Sequence, residues 1–189
     1  MNKGFAIFAF SLALTACASS PQQVKLQPQV EVNSRLAKQP AVNLTISDNR
    51  PSPSLGTRGG VYGGSNHITP ARSLSDSIYP VASKALTELG ARMNASSPFP
   101  VDLRLEVEQL SYTVDENSTL PLQVELKAAI RAVANKNGRS FSGRYESSKL
   151  HKFVTSPSEE KNEEVINDVL STTLNRVFND PKLLTFMEQ

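Results

Sequence analysis

At 189 residues, with 39% hydrophobic and 20% charged side chains, the chain holds material for one modest core and is too polar for a multi-span membrane protein. Lys+Arg 20 against Asp+Glu 18 gives a net charge of +2, which removes the electrostatic case for a nucleic-acid binder. One Cys excludes a disulfide framework within the chain, and two His weigh against a His-based metal centre.

The chain opens with a short positive segment at Lys3, followed by an uncharged stretch from Gly4 to Ala16. That stretch fits a secretory h-region and falls short of the roughly 20 apolar residues that a spanning helix needs. It ends in Leu14-Thr15-Ala16-Cys17, similar to a bacterial lipobox, in which small residues enter a peptidase cleft and the Cys thiol takes a diacylglyceryl group. The only Cys of the chain stands at that position. Residues 1–16 are therefore read as a lipoprotein signal peptide and Cys17 as the lipidation site, with several acyl chains giving stable anchoring. Ala18 and Ser19, rather than Asp, follow the Cys and point to the outer membrane, on its periplasmic face.

Residues 17–40 read as the lipidated Cys and a tether rich in Ser, Gln and Pro, with a reach of about 25–30 Å as a coil. Alternation at Val24-Lys25-Leu26 and Val30-Glu31-Val32 allows part of it to lie along the domain as an edge strand. A single periplasmic domain is expected over 41–189. Val42, Leu44 and Ile46 alternate with polar neighbours and predict a strand over 41–47, ended by Asp48-Asn49-Arg50-Pro51. The segment 51–73 holds five glycines and is long for a loop, so it is functional, mobile, or hides two short strands around 55–58 and 66–69. A helix capped by Ser77, with Pro80 in its first turn, runs to Gly90. Val101, Leu103, Leu105 and Val107 alternate, and the phase slips near Gln109, which predicts a bulge. The alternation from Leu122 to Ala134, the Asn137-Gly138 turn signal and a return strand from Phe141 predict a hairpin. Ser156-Pro157-Ser158-Glu159 fits a capping box opening a second helix, and Asp180-Pro181 caps a short last one. Strands wet on one side imply helices on the other. The expected fold is α+β: a two-layer sandwich with a mostly antiparallel sheet and two long helices on one face. Leu126, Ile130, Leu86, Val169 and Leu170 are its expected core.

Catalytic constellations are hard to assemble. His67 sits in the Gly-rich segment and His151 between lysines at a strand end, and both read as structural. Ser158-Glu159-Glu160-Lys161 matches a Ser-x-x-Lys pattern, but its companion motifs are missing and capping explains it. Gly59-Gly60-Val61-Tyr62-Gly63-Gly64 matches neither phosphate-loop nor dinucleotide spacing. No enzyme, cofactor or metal is expected. Basic residues cluster on the hairpin, among them Lys127, Arg131, Lys136, Arg139 and Arg144, and cross-strand pairing with Glu106, Glu108 and Glu125 accounts for much of that cluster.

The lipobox at Leu14–Cys17, a strand ending in Asp48-Asn49-Arg50, a helix ending Leu89-Gly90-Ala91, the Val101–Leu110 strand, the Asn-Gly hairpin and the C-terminal amphipathic helix follow in an order that resembles the YajG family of bacterial lipoproteins. The resemblance implies an outer-membrane lipoprotein with an α+β periplasmic domain and no known catalytic residues. The expected function is a non-enzymatic, lipid-anchored interaction domain whose partner is an envelope protein or glycan. The alternative is an auxiliary lipoprotein subunit of an envelope transporter. Arg58, Tyr62 and His67 in the 51–73 loop are the candidate partner-binding residues, because Tyr and Arg dominate interface energetics. Asp48 and Arg50 are expected to hold the loop's root. The alternative contact surface is the wet sheet face with Arg104, Glu106 and Lys127.

Overall fold

A strand of 14 residues organises the sheet. In a computed structural model, which describes residues 21–59, 66–115, 117 and 121–189, the elements run β1 (Gln22–Val24), β2 (Ala41–Asp48), β3 (Gly56–Thr57), β4 (His67–Pro70), α1 (Leu74–Glu88), β5 (Arg92–Met93), β6 (Val101–Val114), β7 (Leu122–Lys136), β8 (Arg139–Phe153), α2 (Glu159–Phe178) and α3 (Pro181–Glu188). Along one edge of β6, β2 pairs in parallel from Val42↔Val101 to Asp48↔Val107, and β3 takes over at Gly56↔Tyr112. The opposite edge pairs antiparallel with β7 from Asp102↔Asn135 to Val114↔Val124. Glu108 is the extra residue, bulged between Val107 and Gln109 where β2 ends. The bulge switches the buried parity from Val101, Leu103, Leu105 and Val107 to Leu110 and Tyr112, so both halves face the same core.

The expected two-layer sandwich with a mostly antiparallel sheet is not what the chain builds. It builds a curled, mixed sheet of eight strands, a half-barrel, with three helices. Two physical reasons account for the difference. The connection from β2 to β6 crosses over through α1, and a crossover of that length returns the chain in the same direction, so these strands pair in parallel. The parallel pairs β1–β4 and β3–β6 extend this side of the sheet. The curl follows from the long, bulged strands, which twist and coil rather than lie flat. Its consequence is visible in α2, which packs on β7 and β8 at one end of the sheet and on β1 at the other. α1 packs on β2 and β5 and touches α2.

Leu126, Ile130, Leu86, Val169 and Leu170 are fully buried in one continuous apolar cluster. The β7–β8 hairpin closes through Asn137 and Gly138, both at positive φ (48° and 74°) between the paired residues Lys136 and Arg139, the two-residue geometry that suits twisted strands. β8 is an outer strand carrying Arg139, Arg144, Lys149 and Lys152, charges that oppose further strand addition.

The starts of α1 and α2 differ from expectation, and that of α3 agrees with it. α1 is capped by Ser73, whose Oγ accepts from Asp76 N (3.0 Å), so Pro80 lies inside the helix. The break that Pro would favour is offset by the buried face Leu74, Ile78, Ala82, Ala85 and Leu86, which holds the helix on both sides of it. α2 begins after Ser158 rather than Ser156, with Ser158 Oγ accepting from Lys161 N (3.2 Å). Asp180 caps α3 with Pro181 following, and its second carboxylate oxygen accepts from Tyr145 Oη (2.5 Å).

Residues 22–33 of the expected tether lie along the domain, as the alternation at Val24–Leu26 and Val30–Val32 allows. Val24, Leu26 and Pro28 turn inward, and the backbone N–H groups of the odd-numbered residues meet one stripe of α2. Lys25 N donates to Glu163 Oε2 (2.9 Å), Gln27 N to Asn167 Oδ1 (2.7 Å), Gln29 N to Ser171 Oγ (2.9 Å), Glu31 N to Asn175 Oδ1 (2.8 Å) and Asn33 N to Asn179 Oδ1 (2.8 Å). Two residues of extended chain advance about 6.7 Å and four residues of helix about 6.0 Å, so the two periods stay in step. Pro28 falls at a position whose N–H this ladder does not use.

Candidate binding surfaces

Cys17 and Tyr62 lie outside the described residues. Arg50, its side chain 4% exposed, grips Asp48 through Nε (2.8 Å to Oδ1) and Nη2 (2.8 Å to Oδ2), and Nη2 also reaches Pro53 O (3.5 Å). Burial pushes the Asp48 carboxyl up, but the hydrogen bonds and charge of Arg50 outweigh it and hold the group below the usual carboxylate range. Arg50 Nη1 is buried without a partner among the described residues. Arg58 reaches away from its own segment to Glu159 Oε1 (3.1 Å) at the start of α2. His67 is exposed on β4, opposite Thr57 of β3. Arg58 is thus already engaged within the domain, whereas His67 faces solvent.

The wet face of the sheet compensates its own charge. Arg104 pairs with Glu106 (3.5 Å), Lys127 with Glu125 (2.9 Å), and Glu108 with both Arg131 (2.7 Å) and Arg144. The Arg144 hydrogen bond, opposed by burial and joined by Arg131, lowers the Glu108 pKa. The bulge at Glu108 turns this carboxylate toward Arg131 of the neighbouring β7 and Arg144 of β8 beyond it.

Sequence reasoning missed a cavity of about 390 Å³ at the end of the sheet where β6 begins and the β7–β8 hairpin turns. Its lining brings together Lys38 and Pro40 ahead of β2, Arg92 of β5, Ser97 and Phe99 ahead of β6, Lys136, Asn137 and Arg139 of the hairpin, and Phe186 of α3. No Asp or Glu side chain lines it, and none of its four cations forms an ion pair among the described residues. Lys136 Nζ donates to Met187 O (2.9 Å) and Arg92 Nε to Gln39 O (3.2 Å), bonds that position charge without cancelling it. Phe99 is 57% exposed at the rim. Within the basic cluster of the hairpin, Arg131 and Arg144 pair across strands with Glu108 and Lys127 pairs with Glu125 of its own strand, whereas Lys136 and Arg139 form no ion pair among the described residues. The available signal was the pair of cations flanking the Asn-Gly turn, away from any glutamate in register.

The cavity lies at the end of the sheet away from where Gln22 docks. Gln22 Nε2 donates to Glu159 O (2.7 Å) and its Oε1 accepts from Asn162 Nδ2 (2.9 Å), while Asn162 Oδ1 accepts from Tyr112 Oη (2.8 Å) near the other end of β6. From Tyr112 back to Val101 the strand covers about 36 Å. Among the described residues no group of three His, Cys, Asp or Glu side chains is placed to hold a metal ion, and no helix is long and apolar enough to cross a membrane.

No curated protein matches the sequence. A Xanthomonas campestris protein of known crystal structure superimposes with a TM-score of 0.59 at 14% identity, over 89% of this chain and 96% of that one, and therefore shares the fold. A minor lipoprotein from Acinetobacter baumannii (TM-score 0.45, 9% identity, 80% of this chain and 92% of that one) and the rare lipoprotein B from Shewanella oneidensis (TM-score 0.44, 12% identity, 71% and 89%) are more distant. The model of a family described as uncharacterised lipoprotein matches residues 28–188. That span is most of the chain, and it agrees with the resemblance carried by the order of the motifs: the chain belongs to this lipoprotein family, of the YajG type.

Proposed function

We propose that the protein is a non-enzymatic binding domain held by a lipid at Cys17 on the periplasmic face of the outer membrane, where it engages an envelope protein or glycan. The observation that carries this reading is the docking of residues 22–33 on β4 and α2, with Ala18–Pro21 between that docked segment and Cys17. Five residue steps span at most about 18 Å, against the longer reach of a free tether. A lipid at Cys17 would therefore hold the domain close to the bilayer by the end bearing Gln22 and the start of α2. The cation-lined cavity at the opposite end would face away from that membrane.

Metabolic labelling with palmitate tests the anchor. A labelled band that disappears in Cys17→Ser, with the mature chain starting at Cys17 and sedimenting with outer membranes, is the expected result. A mature chain that begins elsewhere, or carries no acyl mass, overturns the reading.

A further inference from the structure

We infer that the cavity between Lys38, Arg92, Phe99, Lys136, Arg139 and Phe186 is a binding site for an anionic saccharide, a sugar ring carrying a carboxylate or a phosphate. The inference deepens the proposed binding role and rests on it only for the direction in which the site faces.

Four cations converge on one concavity that no acidic side chain enters. The Glu188 carboxylate, which accepts from Lys38 N (3.4 Å), stands behind the backbone and outside the lining, so positive charge prevails in the concavity. The contrast with the wet sheet face is specific, since there Arg104, Lys127, Arg131 and Arg144 each have a carboxylate partner. Two of the cations are arginines, whose planar forks match carboxylate and phosphate geometry. A concavity of about 390 Å³ falls in the size range of small-ligand sites, so the geometry suits a discrete anionic group rather than a diffuse charged surface.

The remaining lining selects among anions. Gln39, Ser97 and Asn137 offer neutral donors and acceptors suited to hydroxyl groups, and the half-exposed ring of Phe99 offers an apolar face for a sugar ring. An acidic peptide would gain most from backbone pairing with an open strand edge. β5, the cavity's edge strand, is two residues long and provides little of that. A bilayer headgroup fits poorly as well, because the site lies at the end away from Gln22.

The test is a titration of the ¹⁵N-labelled full-length protein, purified in a nonionic detergent from whichever fraction holds it, so that the outcome does not depend on acylation of Cys17. The probes are N-acetylmuramic acid, glucosamine 6-phosphate, neutral N-acetylglucosamine and a tetra-aspartate peptide. The two anionic sugars should shift the amide resonances of Ser97, Phe99, Val101 and residues 136–140, and the shifts should weaken as salt is raised. The stronger of the two identifies a carboxylate-bearing or a phosphate-bearing source. Arg92→Gln combined with Arg139→Gln should weaken binding about tenfold or more, while Lys25→Gln combined with Lys152→Gln, the same charge change at the other end, should not. Phe99→Ala, at an exposed position, should weaken the sugars and leave the melting temperature unchanged. The proposal is overturned if neutral sugar binds as well as the anionic ones, if the peptide binds better, if no probe shifts these amides, or if the distant charge pair matters equally. Failure here with a labelled Cys17 removes the saccharide site and leaves the anchored binding domain standing. Binding here by a protein without acyl mass does the reverse.

Discussion

Tyr112 donates its hydroxyl to Asn162 Oδ1 across 2.8 Å, and this bond joins the middle strand of the sheet to a helix fifty residues later in the chain. Asn162 is fully buried and uses its amide nitrogen on Gln22, which in turn caps the chain at Glu159 O. A polar side chain in the apolar stripe of α2 thus fixes where the N-terminal segment docks. Burial of Tyr112, slightly opposed by the charge of Arg58, pushes its pKa up to about 12.

Tyr112→Phe should cost about 1–3 kcal/mol in denaturant unfolding, because Asn162 Oδ1 is left buried without its donor. Amide exchange at residues 22–24 should rise more than at β7. The phenol also sets an alkaline limb. Its folded pKa lies above the unfolded value of 10.0, so the stabilisation is complete below pH 10 and is lost as pH rises through about 12. In Tyr112→Phe the part of the alkaline destabilisation that this phenol causes should vanish; an unchanged alkaline limb would assign it to other groups.

The asparagine ladder predicts a segmental response. Asn167, Asn175 and Asn179 each return a hydrogen bond to the segment, to Lys25 O (2.9 Å), Gln29 O (3.5 Å) and Glu31 O (2.8 Å). Replacing all three with Ala should expose residues 25–33 to limited proteolysis while the β6–β8 amides stay protected. The individual bonds are worth about 0.5–1.5 kcal/mol each, and the loss should be less than their sum because they share one segment. Unaltered cleavage would mean that Leu26 and Leu36, both buried, hold the segment without the ladder.

Gly56 meets β6 where only a glycine fits. Its φ is +151°, and an added Cβ would stand 1.8 Å from Tyr112 O. Gly56→Ala should therefore cost at least about 1–3 kcal/mol from the backbone region alone, with displacement of β3 added to it. Thermal unfolding measures this directly, and a loss below that of an exposed-loop substitution such as Ser52→Ala would show that β3 shifts freely.

Much of the local structure was legible in the sequence because it is set by neighbours in the chain. Asn137-Gly138 dictated the hairpin through its positive φ values, the parity slip marked the bulge that Glu108 occupies, and Asp180-Pro181 placed the start of α3. Pro80 misled the reading of α1, since its local cost was outweighed by a buried face that extends back to Leu74. Tertiary structure alone decided the rest. Alternation says that β2 and β6 each have a wet and a dry side, but it is the same whether they pair in parallel or antiparallel, so the mixed, curled sheet was not in the pattern. The match between a two-residue strand step and a four-residue helix step became visible only once residues 25–33 lay beside α2. The cavity's cations stand at positions 38, 92, 136 and 139, and only the closing of the sheet around α2 and α3 brings such distant residues to one place. Charge at a residue is local; whether it has a partner depends on the fold.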